Sequence, residues 1–383
     1  MQSYKTGRII SDRESHNAWD WLETYRSVPY VTNLLMKWHS VPKNQKGNVQ
    51  KQAEQIRYCI QQAKEYRDAS KTVSLATKPL LLYYSCMCLA LAEILVKQDG
   101  TSSLDVARES HRHHGLLFSE NIQKQLTVEE KFSSIRAKPM IKDGARMGTF
   151  ELWRRTAQYA SLIGLHTTQY HDTNVSNKST EVLLTGSNIS DFPLQGLTLL
   201  ECFTHLPWLQ RELSTYNISG KVVRGVVIQE TSVLPNDNFN SRLKFITHPT
   251  TTALLWEVFD HFKIEPWAWK QVDISESPAG GFVVTINGGK GVSPQLSVPE
   301  CFQKSVSEVG FLPPFCLNEF GTIYVSLYII GNLARYFPDK WILEIESSSE
   351  FSVLIKSFLN NIEDRMALLT LGELSNSVYA ISD

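Results

Sequence analysis

The densest run of side chains able to do chemistry is Arg108-Glu109-Ser110-His111-Arg112-His113-His114-Gly115. Arg108 and His113 stand in an R-x4-H arrangement, and each residue type brings a defined capability. A neutral imidazole titrates near pH 7 and can accept a hydroxyl proton. A guanidinium holds a phosphate through paired N–H donors and stabilises charge as an oxyanion develops. No metal is required for that pairing, and His111 and Arg112 can add phosphate contacts. The same cluster also has a plainer reading. Cationic residues are favoured near a helix C-terminus by the macrodipole, and R-x4-H arises readily wherever Arg and His cluster. The three histidines are two or three positions apart at most, so on one helix they do not converge as i and i+4 residues do. No metal and no cofactor are expected.

Other constellations are weaker. Glu201 and His205 have i,i+4 spacing, the usual source of an ordinary helical hydrogen bond. Asn287-Gly288-Gly289-Lys290-Gly291 lacks the G-x4-GK[ST] pattern of a phosphate loop and reads as a glycine turn after a strand over 282–286. No G-x-S-x-G elbow, H-E-x-x-H helix or D-x-D calcium loop occurs in the chain. Trp267 and Trp269 can form a stacking platform for a base or a contact between domains. Arg335, at the end of an apolar helix, can cap that helix or pair with Glu319, Glu344 or Glu346. Alternatively it lines the same cleft as the histidines and binds substrate.

The elements that must position these residues are mostly helical in the first third. Periodicity over 18–38 with a break at Pro29 predicts two short helices, and Ala53, Ile56, Ile60 and Ala63 mark one buried stripe over 49–69. The run Pro79 to Val96 is apolar on all sides. Tyr83, Tyr84, Ser85 and Glu93 interrupt it, so it reads as the central helix of a bundle and not as a membrane span. A further short helix is expected from Leu104, stopping at Gly115. From about Val182 short β-branched runs appear at 222–229, 243–247 and 282–287. Helical periodicity resumes at 322–336 and in the tail. The expected architecture is α+β, mainly α. Residues 1–180 form an N-terminal helical region, 181–315 an inserted α/β section, and 316–383 helices that return to the bundle.

Composition limits the function classes. In 383 residues, 38 Lys and Arg nearly cancel 39 Asp and Glu, which gives no global field for nucleic acid or an anionic membrane. Any nucleic-acid contact must therefore be local. Six cysteines include no C-x-x-C pair, and Cys86 and Cys88 read as small core residues. The N-terminus lacks the apolar segment of a secretory signal, so a reduced, cytoplasmic setting is expected.

Two blocks carry a family resemblance: TKPLLLYYSCMCLALAEILV followed by His114-Gly115, and TIYVSLYIIGNLARYFPDKW with Arg335, Tyr336, Pro338 and Trp341. In that order they resemble the bacterial YaaC-like proteins. The R-x4-H pair is similar to the motif of HEPN-type ribonucleases, helical domains that dimerise and bring an Arg and a His from each copy to one phosphodiester. That resemblance implies a HEPN-like bundle and a homodimer. It also implies metal-independent RNA cleavage with Arg108 and His113 as catalytic residues. His111, Arg112, His114 and Arg335 would then contact substrate, in a stress or phage-defence setting. The alternative is a non-catalytic interaction module that binds a partner protein.

Overall fold

The computed structural model describes residues 18–98, 109, 112–121, 126–169, 178–189, 191–233, 239–259, 271–278, 280–290, 300–303, 308–312 and 315–375. The chain opens with helix α1 (Ala18–Leu22), a 3-10 turn (Glu23–Arg26), α2 (Val28–Trp38), α3 (Lys46–Ser70) and α4 (Lys78–Val96). The sequence dictates these boundaries in part: Pro29 and Pro79 sit in first turns, where the missing N–H costs nothing. Helix α4 lies at the centre, packed by α3 and, from the far end of the chain, by α10 (Glu319–Tyr336) and α12 (Glu350–Ser375). It is the one helix among the described residues that is long and apolar enough to cross a membrane, and 78% of its most apolar window is buried in protein. Its packing is that of a core helix.

Helix α10 is buried along most of its length, from Phe320 to Gly331, and Asn318 caps it by accepting the Gly321 N–H at 2.9 Å. Pro338 ends it and opens α11 (Pro338–Glu346). The helical tail is the single helix α12. Ion pairs stitch α12 to the N-terminal helices: Arg67 with Asp364 at 2.6 Å, Lys78 with Glu363 at 2.6 Å and Lys97 with Glu373 at 2.5 Å. One hydrophobic core thus draws on both ends of the chain, from Trp19 and Leu22 to Leu371 and Leu374.

Between α4 and α10 the chain alternates short helices and antiparallel strands. A three-stranded sheet, ordered β1-β2-β7, joins β1 (Leu116–Glu120), β2 (Ile135–Pro139) and β7 (Leu197–Thr198), and it packs on the helical core. Around it lie α5 (Val128–Ser134), the small hairpin β3 (Ile141–Lys142) and β4 (Ala145–Arg146), and α6 (Thr149–Thr156). A long hairpin, β5 (Gln158–Gln169) and β6 (Lys178–Asn188), precedes α7 (Leu199–Thr204) and α8 (Gln210–Thr215). Helices α5 and α7 both start with a capping box, Thr127 with Glu130 and Thr198 with Glu201, the T-x-x-E pattern that satisfies two end donors at once.

The second sheet runs β10-β11-β9-β8-β13-β12 and is antiparallel throughout. Its strands are β8 (Val223–Val233), β9 (Phe239–Thr247), β10 (Gln271–Glu276), β11 (Phe282–Lys290), β12 (Glu300–Gln303) and β13 (Glu308–Leu312), with α9 (Thr252–Phe259) after β9. Its buried apolar side chains, among them Val223, Phe245, Val284 and Leu312, stand outside the contiguous helical core. The glycine-rich segment after 282–286 is not a turn, as the sequence suggested. Strand β11 continues to Lys290, and its register against β9 shifts between Asn287 and Lys290. Glycines suit that irregular pairing as well as they suit a turn.

Candidate functional site

The expected helix ending at Gly115 lies largely outside the described residues, as do Arg108, His111, Trp267 and Trp269. Where the chain is described, Arg112 to His114 are not helical. They form an irregular approach that turns at Gly115 into strand β1. The run Leu116-Leu117-Phe118-Ser119-Glu120 has no β-branched residue, so the sequence carries little strand signal there.

Backbone contacts pin this approach from both sides. The His113 carbonyl accepts the Thr149 N–H at 2.8 Å and the His114 carbonyl accepts the Phe150 N–H at 3.0 Å. The Gly115 carbonyl accepts the Met140 N–H at 3.0 Å. These bonds fasten the segment to the start of α6 and to the end of β2. The two chains cross at Gly115 and Gly148, whose φ angles are +90° and +99°. A Cβ built on Gly148 would sit 2.2 Å from the Gly115 Cα. Only two glycines can cross so closely.

His114 is half-buried and committed to the core. The Tyr83 hydroxyl lies 2.8 Å from its Nδ1, and its ring packs against Tyr83 and Tyr328 at centroid distances of 5.5 and 6.3 Å. Burial pushes the Tyr83 hydroxyl well above its ordinary range and Tyr328 up to about 12, so both stay protonated donors near neutral pH. Tyr83 shares a hydrogen bond with His114 Nδ1, and Tyr328 donates to the Leu116 carbonyl at 2.6 Å. The geometry makes His114 a positioning residue that ties β1 to α4 and α10. Arg112 and His113, two and one positions earlier, have exposed side chains.

Arg335 is exposed at the end of α10. Its guanidinium lies 3.3 Å from the Tyr84 hydroxyl and 5.0 Å from the Tyr336 ring centroid. Its anticipated partners are engaged elsewhere: Glu319 pairs with Arg365 and accepts from Trp208, and Glu344 pairs with Lys131. Glu201 and His205 do form a local hydrogen bond, His205 Nδ1 to the Glu201 carbonyl at 2.7 Å. The His205 ring stacks on Phe315 at 3.8 Å, and burial lowers its pKa. Among the described residues no group of three or more His, Cys, Asp or Glu side chains is placed to hold a metal ion.

A charged cluster that the sequence did not single out lies close along the chain. On α6, Glu151 accepts both Nε and Nη2 of Arg154 at 2.8 Å, and Arg155 at 2.9 Å. The Arg154 and Arg146 guanidiniums reach one oxygen of Asp191, at 3.2 and 3.1 Å. Arg154 is buried and Asp191 exposed. The only sequence signal was the abundance of cations between Arg136 and Arg155, since Asp191 lies far along the chain.

These features define a mainly helical α+β protein in which buried Gly115 crosses Gly148 beside an exposed Arg-His edge. The chain belongs to the YaaC-like family: the family model described as "YaaC-like Protein" matches residues 23–150 and 184–374. The interval left unmatched, 151–183, holds most of α6, strand β5 and the start of β6. No curated protein and no solved structure matches the chain.

Proposed function

We propose that this YaaC-like chain is a cytoplasmic, RNA-directed effector that grips RNA at a local cationic edge and cleaves it without a metal. The observation that carries the reading is the placement of Arg112 and His113. Both side chains are exposed, on a segment pinned by backbone bonds to Thr149 and Phe150. The residues against which it is pinned belong to a cationic stretch, Arg136 to Arg155, whose sequence holds six cations, Arg136, Lys138, Lys142, Arg146, Arg154 and Arg155, and two acidic residues, Asp143 and Glu151. In a chain of net charge -1, a local excess of this kind is what phosphate contacts require.

Catalysis follows from the likeness of Arg108 and His113 to the HEPN-type motif. His113 deprotonates a ribose 2′-OH and Arg108 stabilises the phosphate, with a second copy of the chain completing the site. Stress or phage defence is the setting that such domains commonly serve. The test is incubation of wild type and His113→Ala with structured RNA in EDTA. Cleavage by wild type and its loss in the variant are expected, with Arg112→Ala reducing the salt slope of binding by about one phosphate contact. Inert wild-type protein that retains no RNA at low salt overturns the reading. A second reading, a non-catalytic module for a protein partner, has in its favour the exposed Tyr336, Ile342 and Leu343 on consecutive helices α10 and α11. It predicts that inert outcome.

A further inference from the structure

We propose that Arg146 and Arg154 form a receptor for a phosphate monoester, and that Asp191 fills this receptor as a displaceable internal plug. Two guanidiniums from different elements, the β3–β4 hairpin and α6, converge on a single carboxylate oxygen at 3.1 and 3.2 Å. That is the arrangement in which two arginines hold one oxygen of an oxyanion. The receptor half is rigid. The Arg154 side chain is 8% exposed and locked by the two-point fork to Glu151, while Arg146 is 18% exposed.

The plug half is the opposite. The Asp191 side chain is 80% exposed, and the adjacent Phe192, fully buried, anchors that part of the chain without it. An ion pair whose anion is so open to water contributes little stability, so its replacement costs little. The charges also leave room for a stronger anion. Among the described residues Arg146, Arg154 and Arg155 form ion pairs with Glu151 and Asp191, so removing the plug takes one negative charge away from a preorganised fork. A phosphate monoester carries up to two negative charges near neutral pH and three terminal oxygens. It can engage both guanidiniums at once, where one Asp oxygen now serves both.

The ligand class comes from this geometry and not from the RNA reading, and either can fail alone. Two sources carry the same group, a small phosphorylated metabolite and the 5′ end of an RNA. The full chain would be titrated with inorganic phosphate, with a nucleoside 5′-monophosphate, and with one short RNA bearing a 5′-phosphate or a 5′-hydroxyl, by calorimetry and thermal shift. Asp191→Asn removes the competing charge and should tighten phosphate binding at least tenfold. Adding Arg146→Gln in that background should abolish the gain, while Arg146→Lys should restore part of it. Equal affinity for phosphate and the mononucleotide points to a small metabolite. An Arg146-dependent preference for the 5′-phosphate RNA over its 5′-hydroxyl form points to an RNA end. The proposal is overturned if Asp191→Asn leaves phosphate affinity unchanged, or if the gain survives Arg146→Gln. A lower Tm in Asp191→Asn without any larger phosphate-induced shift also overturns it, because that is the behaviour of a merely structural clamp.

Discussion

At Gly148 the backbone itself sets the limit on substitution. A methyl group there would overlap the Gly115 Cα at 2.2 Å and stand only 2.9 Å from the His113 carbonyl, at a φ of +99° that side chains rarely adopt. Gly148→Ala should therefore lose more than about 3 kcal/mol in urea unfolding, well beyond the usual cost of a single substitution. A loss below about 1 kcal/mol would mean that the two strands do not cross this way. His114-Gly115 was legible in the sequence as a family mark, but the cause was not, because the partners Gly148, Tyr83 and Tyr328 are remote along the chain. The same distance hid Asp191 from Arg146. Sequence spacing points to local constellations, and the charge pairs that matter here are made by folding. His114 packs against Tyr83 and Tyr328, while Arg112 and His113 are at the surface.

Among the elements, α4 carries the most consequential anomaly. Glu93 is fully buried in the last turn of an apolar helix. Its carboxylate accepts from Trp153 Nε1 and from the Thr370 hydroxyl, both at 2.7 Å, tying α4 to α6 and α12. Burial, reinforced by nearby Glu373 and opposed by Lys97, pushes its pKa from 4.5 up to about 7. Because the folded pKa is raised, the folded state binds the proton more tightly. The associated stability is full below about pH 4.5 and is lost as pH rises through about 7. Wild type should therefore lose up to roughly 3 kcal/mol between pH 5 and 8, and Glu93→Gln should flatten that slope. Equal slopes in both proteins would assign the change to other groups.

The sequence announced α4 clearly, since an apolar run with an early proline is unambiguous, yet Glu93 looked only like an interruption. Helices α2, α3 and α10 were similarly readable from their apolar spacing. Strand β1 was not, for lack of β-branched residues. Its partner β2 alternates buried and partly exposed positions over only five residues, too short a pattern to stand out.

For the molecule as a whole, the division of buried side chains matters most. The helical core is contiguous from Trp19 to Leu374, whereas Val223, Phe245, Val284 and Leu312 of the six-stranded sheet lie outside it. Buried side chains that stand outside the helical core should unfold separately from it. Calorimetry is expected to show two transitions, and a truncation removing 316–383 should abolish the helical one. One transition with matching calorimetric and van't Hoff enthalpies would show that the cores act as a single cooperative unit.

The insertion of the sheets between α4 and α10 also sets an order of events during synthesis. Helix α4 leaves the ribosome long before its partners α10 and α12 exist. At roughly 5–20 residues per second, the chain from Val96 to Glu319 takes on the order of 10–50 s to make. Until α10 and α12 are made, α3 and, once it emerges, α6 cover part of a helix that is long and apolar enough to cross a membrane. Slowing translation between these two helices should therefore lower the yield of soluble protein without changing the finished fold.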